Sequence, residues 1–131
     1  MRWFAVLMIA LPLLAPGQSS KKGPDRNRQE VAVVEMRVKR EEKVIVLEGL
    51  IRNDSSRALR NLTVFFEFLD ADDNMVTKKN LQISDKPLEP GEEAPFEAQT
   101  PVIARAFSVR IDAQARGVQL TVSKAGPYLI E

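Results

Sequence analysis

The chain has 131 residues, with 19 Lys plus Arg against 18 Asp plus Glu, and it contains neither His nor Cys. The missing side chains exclude an imidazole base, a thiol nucleophile, the N and S ligands of zinc and copper sites, and any disulfide staple. The near balance of charge argues against nucleic acid as the main partner.

The first residues carry an address. Met1-Arg2 gives a positive start, Trp3 to Leu14 an apolar stretch, and Ala15-Pro16-Gly17 small residues suited to a signal peptidase. The apolar stretch is interrupted by Pro12 and is shorter than the ~20 residues needed to cross a bilayer. Residues 1–17 are therefore expected to be a secretory signal peptide, cleaved after Gly17, with no cysteine to carry a lipid. The product is expected to be periplasmic or extracellular and soluble. Without Arg2 the two charge sets balance at 18 each.

Residues 18–30 have a linker composition, with no apolar residue from Gln18 to Gln29. Lys21, Lys22, Arg26 and Arg28 would allow at most peripheral contact with an anionic membrane surface. Residues 31–125 are numerous enough for one domain with one core and too few for two.

From Val31 the apolar residues recur with period two. Ala32, Val34, Met36 and Val38 would share one face of a first strand, and Ile45, Leu47, Gly49 and Ile51 one face of a second. A hairpin around Arg40 to Lys43 joins them. In the third strand Leu62, Val64, Phe66 and Phe68 face one way, while Phe65 and Leu69 make the other face partly apolar, which predicts a central position in its sheet. Met75 to Ile83 is a weaker strand. After the break at Pro87 to Gly91, Ala94 to Gln99 forms a fifth. Phe107, Val109 and Ile111 alternate with Ser108, Arg110 and Asp112, and Arg116-Gly117 turns the chain into Val118, Leu120 and Val122. The expected fold is all-β, a sandwich of about seven antiparallel strands.

Asp70-Ala71-Asp72-Asp73-Asn74 mimics the D-x-D-x-N opening of an EF-hand calcium loop. Met75 stands at the glycine position, Leu81 where the bidentate Glu belongs, and strands replace the helices. A hairpin turn is the better reading, and Asp70, Asp72 and Asn74 remain the candidate cation ligands, with Asp85, Glu92 and Glu93 joining only if the fold gathers them. Glu41 and Glu42 are adjacent on a strand tip and point apart. Met36 and Met75 are ordinary core fillers. No cofactor and no catalytic residue is expected. The segment 126–131 is unusual for a chain end, because Tyr128, Leu129 and Ile130 come after the Gly126-Pro127 breaker. Either it packs back on the sandwich, or Tyr128, Leu129 and Ile130 offer a strand to a partner.

Three elements carry a resemblance. Gly49-Leu50-Ile51-Arg52-Asn53-Asp54-Ser55 is similar to the G-x-V-x-N-x-S element of the bacterial FxLYD domain, and Phe66-Glu67-Phe68-Leu69-Asp70 resembles the F-x-L-Y-D signature. Phe68 stands where that family usually has Leu, Leu69 where it has Tyr, and Asp73 where Gly often completes the turn. Leu88-Glu89-Pro90-Gly91-Glu92, with Phe96 four residues beyond, resembles its L-x-P-G-E-x-x-x-F element. The resemblance spans Val31 to Val122 and implies an immunoglobulin-like sandwich in an envelope protein, with no established activity to carry over. The residues also have plain roles. Phe66 and Phe68 suit a core, Asn53 and Asp54 a turn, and Pro90-Gly91 a type II turn with Gly at positive φ.

The function expected from these observations is a non-catalytic extracytoplasmic adaptor whose partner is an envelope protein. The alternative is a small-ligand or calcium-binding protein using the turn at 70–74.

Overall fold

The computed structural model describes residues 29–131. The expected signal peptide and residues 18–28 of the linker lie outside them. The described chain forms nine strands: β1 Glu30–Arg40, β2 Val44–Asn53, β3 Leu62–Leu69, β4 Met75–Gln82, β5 Glu93–Pro101, β6 Ser108–Ala115, β7 Val118–Gln119, β8 Thr121–Ser123 and β9 Tyr128–Leu129. They form two sheets, one ordered β9-β6-β3-β4 with β7 also on β6, the other β5-β2-β1-β8. The fold is an all-β sandwich.

The period-two pattern places the core. Ile45, Leu47 and Ile51 of β2 and Leu62, Val64, Phe66 and Phe68 of β3 are all buried, and they meet Val109, Ile111 and Ala113 of β6 in one apolar cluster. β3 lies between β6 and β4, the central position its two-sided pattern predicts. The β1–β2 hairpin turns at residues 41–43, where the Glu41 N–H donates to the Val44 C=O at 2.8 Å.

Gly49 serves this core by what it lacks. It lies opposite Phe96 of β5, and a Cβ there would stand 2.4 Å from the Phe96 ring and 2.6 Å from the Glu35 carbonyl. The ring therefore crosses the glycine and reaches Phe66, with centroids 5.8 Å apart.

Five expectations need correction. Val34 does not share the face of Met36 and Val38. The register with β2 slips between Val33 and Glu35, so Val34 is the extra residue of a β-bulge and is 37% exposed, while Val31 and Val33 point into the core. Met75 opens β4 as an exposed residue instead of filling the core. Phe107 precedes β6 instead of opening it, and it is 52% exposed. The stretch after Gly117 is not one strand, since Val118 belongs to β7 on β6 whereas Val122 lies in β8, in the other sheet. Nor is the sandwich wholly antiparallel: β8 runs parallel to β1, with Thr121 opposite Glu30 and Ser123 opposite Ala32.

Candidate functional site

Of the residues that carry the sequence resemblance, Asn53, Ser55, Pro90 and Gly91 meet at one end of the sandwich and do structural work there. Asn53 is fully buried at the end of β2. Its Nδ2 donates to the carbonyls of Arg57 and Leu88, both at 2.8 Å, and its Oδ1 accepts the Ser55 N–H at 2.7 Å. Its backbone C=O accepts the Gly91 N–H at 2.7 Å. Ser55 Oγ in turn accepts the Glu30 N–H at 2.7 Å and donates to the Glu30 C=O at 3.0 Å. Gly91 has φ +81°, the conformation that its place after Pro90 predicts. Leu59 and Leu88 exchange backbone hydrogen bonds and plug this end with buried side chains. Gly49, Asn53, Ser55, Pro90, Gly91 and Phe96, with the buried Phe66, Phe68 and Leu69, are thus scaffold.

The acidic motif is the β3–β4 turn. Asp70 Oδ1 accepts the N–H groups of Asp72 and Asn74, each at 2.9 Å, and the Asp70 N–H donates to the Asn74 C=O at 2.9 Å. Asp73 takes φ +65°, the left-handed region that Asp and Asn enter more readily than most residues other than glycine. The hydrogen bond from the Asn74 N–H, helped by the one from Asp72, holds the Asp70 carboxyl below its usual range. Among the described residues no three His, Cys, Asp or Glu converge to hold a metal, and Glu92 Oε1 is engaged with the Glu89 N–H. Asp70, Asp72 and Asn74 are brought together around backbone donors, and Asp85, Glu92 and Glu93 do not join them.

The segment 126–131 takes the packed-back course. Tyr128 and Leu129 pair with Val109 and Ser108 at the edge of β6, and the Ile130 N–H donates to the Phe107 C=O at 3.0 Å. The next residue crosses to the other sheet: the Glu131 N–H donates to the Val38 C=O at 3.0 Å and its C=O accepts the Arg40 N–H at 2.7 Å. The Tyr128 hydroxyl donates to the Lys124 carbonyl, and burial raises its pKa. Tyr128 and Ile130 pack against the core, and Leu129 is 63% exposed. The backbone groups of Ile130 and Glu131 are spent within the chain and only Leu129 turns its own outward, so in this state the segment is a clasp between the sheets.

That clasp closes one side of the sandwich. The outer edge of β6 is covered by β7 at Gln114–Ala115 and by β9 at Ser108–Val109, and the outer edge of β1 by β8 and by Glu131. The other side is bounded by β4 and β5, which pair only with β3 and β2. A cleft of about 400 Å³ opens between them, lined by Leu47 and Phe66 and flanked by Lys78, Lys79, Gln99 and Thr100. A second cleft, of about 730 Å³, lies beside Gly49 between Glu35, Arg37, Glu48, Phe96 and Glu97, and its Arg37–Glu48 pair is exposed at 3.9 Å.

The two open edges differ. The Val102 N–H donates to Lys43, so by antiparallel alternation the outward-facing residues of β5 are Glu93, Pro95, Glu97, Gln99 and Pro101. Two of those five positions lack a donor. The Ile83 N–H donates to Leu62, so Leu81, Lys79 and Thr77 pair inward, and Lys78, Asn80 and Gln82 turn an unbroken run of N–H and C=O groups outward. Sequence reasoning finds β4 as a strand but not as a site. The signal present was Lys78-Lys79-Asn80 in a strand without proline, and its meaning depends on the sheet order.

No family model matches the chain, and no curated protein matches it. Among solved structures, IrmA from Escherichia coli is 8% identical, with a TM-score of 0.44 over 79% of this chain and 98% of that one. Beta-glucosidase 3B from Thermotoga neapolitana is 16% identical, with a TM-score of 0.45 over 70% of this chain and 15% of that one. A Vibrio harveyi exo beta-N-acetylglucosaminidase of the GH20 class is 14% identical, with a TM-score of 0.41 over 79% of this chain and 18% of that one. Likenesses of this grade lend the chain no activity.

Proposed function

We propose that the chain is a non-catalytic interaction module of the cell envelope, exported from the cytoplasm, whose partner is an envelope protein held at a sheet edge. The observation that carries this reading is the unequal treatment of the edges, three of them partly covered by the same chain or broken by proline and one left open and continuous from Thr77 to Gln82. The signal-like first residues and the FxLYD-like elements supply the address. The groups around the two clefts are carboxylates, ammonium and guanidinium ions and amides on an open surface, which suits docking better than bond making. The turn at 70–74 gives the calcium alternative less support, because Asp70 Oδ1 already accepts two backbone N–H groups.

The test is capture from envelope extract by the tagged chain lacking residues 1–17, with cross-linking and an unrelated β-sandwich as control. Recovery of one envelope protein that the control does not hold is the expected result. An empty capture in cross-linked extract overturns the reading.

A further inference from the structure

We infer that the outward edge of β4 docks an extended acidic peptide segment, which adds to the β9-β6-β3-β4 sheet as a further strand. This rests on the interaction-module reading and names its site and the chemistry of its partner.

β4 offers what strand addition needs. Lys78, Asn80 and Gln82 face outward with both backbone groups, and the adjacent cleft, floored by the buried Leu47 and Phe66, leaves room for side chains of an incoming strand. β5 across the cleft offers less, since Pro95 and Pro101 interrupt its outward donors.

Charge selects the occupant. Lys79 lies opposite the buried Phe66 and so points to the cleft side, while Lys78 lies opposite Glu67 on the outer side. Lys79 makes no ion pair among the described residues. Lys78 sits 3.9 Å from Glu67, whose carboxylate is held more closely by Arg110 at 3.0 Å. Its ammonium lies 4.9 Å from the centre of the Phe65 ring. A strand docked on β4 therefore meets one ammonium on each face, at consecutive positions.

A second copy of this chain does not fit. The two antiparallel registers that pair β4 with another β4 over its full length set Lys78 against Lys78 or Lys79 against Lys79, and like charges directly opposite are destabilising. The same lysines that bar self-pairing welcome a strand with adjacent carboxylates, one toward each face.

The experiment uses the chain lacking residues 1–17 and a capped octapeptide of alternating Thr and Val with Asp-Glu at its centre. Binding is followed by amide NMR shifts and by titration at low and physiological salt. The expected result is saturable binding with the largest shifts at Lys78, Asn80 and Gln82, weakened by salt. Lys79→Glu should weaken it at least about tenfold, the change that 1.4 kcal/mol produces. A Lys-Lys peptide should bind only the Lys78→Glu/Lys79→Glu variant. Asn80→Pro removes an outward donor without touching the β3 ladder and should abolish binding. Absence of saturable shifts, shifts that survive Asn80→Pro, or self-association through β4 each overturns the proposal. An envelope protein still captured by Asn80→Pro would defeat the β4 site while leaving the module reading in place.

Discussion

The two long sides of this sandwich face the same problem and solve it differently. On the side of β6 and β1, pieces of the same chain cover much of each edge: β7 and β9 on one strand, β8 at Glu30–Ala32 and Glu131 at Val38 and Arg40 on the other, with the Val34 bulge between them. On the side of β4 and β5 nothing among the described residues covers the edges. There β5 loses donors to proline, and β4 keeps its donors and carries lysine. Covering removes an edge from binding altogether, proline damages it for every partner, and charge leaves it usable by a partner of opposite sign. The difference locates the proposed interaction surface opposite the clasp.

Breaking the closed side should have the largest effect. A chain ending at Ala125 loses the Ile130 and Glu131 donors, the Glu131 acceptor and the packing of Tyr128 and Ile130. At about 1 kcal/mol per hydrogen bond plus the apolar burial, the loss is about 4 kcal/mol. Thermal unfolding should show the midpoint falling by about 20 °C. An unchanged midpoint would mean that the clasp is ornamental.

Asn53→Ala tests the end shared by both sides. It leaves the Leu88 and Arg57 carbonyls and the Ser55 N–H without their side-chain partner in a buried setting. Denaturant titration should give a loss of about 3 kcal/mol.

On the open side, proline scanning sharpens the comparison within a single strand. Lys79→Pro removes a donor that faces β3 and should cost about 2 kcal/mol, whereas Asn80→Pro, one residue on, should cost less than about 0.5 kcal/mol. Equal losses would contradict the alternation assigned to β4.

The smallest effect is expected at the turn leading into β4. Asp70 has a depressed folded-state pKa, so its contribution is present above the unfolded carboxylate range near pH ~4 and is lost as pH falls through the lower folded value. Asp70→Asn should flatten this acid limb in melting curves taken between neutral and acid pH. It should change little at pH 7 beyond the loss of a charge-assisted acceptor.

Much of the fold was legible because burial follows a two-residue period. Ile45, Leu47 and Ile51, and Leu62 to Phe68, point inward as their spacing dictates. Val34 was not legible, since a bulge adds one residue and reverses the parity on either side of it, and the space it needs is provided at Gly49 on another strand. Phe107 misled in a similar way, standing just outside a strand whose pattern it fits. The turn at 70–74 could be read from Asp and Asn, which bond their own backbone. The open edge could not. Lys78, Asn80 and Gln82 acquire meaning only once β4 is known to have β3 on one side and solvent on the other, and that depends on where distant segments such as 126–131 dock.

Backbone hydrogen exchange at single-residue resolution compares the two sides most directly. The amides of Arg40, Ile130 and Glu131 on the closed side should be protected along with the sandwich, while those of Lys78, Asn80 and Gln82 should exchange at near-unfolded rates beside protected Lys79 and Leu81. Rapid exchange at Ile130 and Glu131 with protection at Lys78 and Asn80 would reverse the assignment and put the free edge where the clasp has been placed.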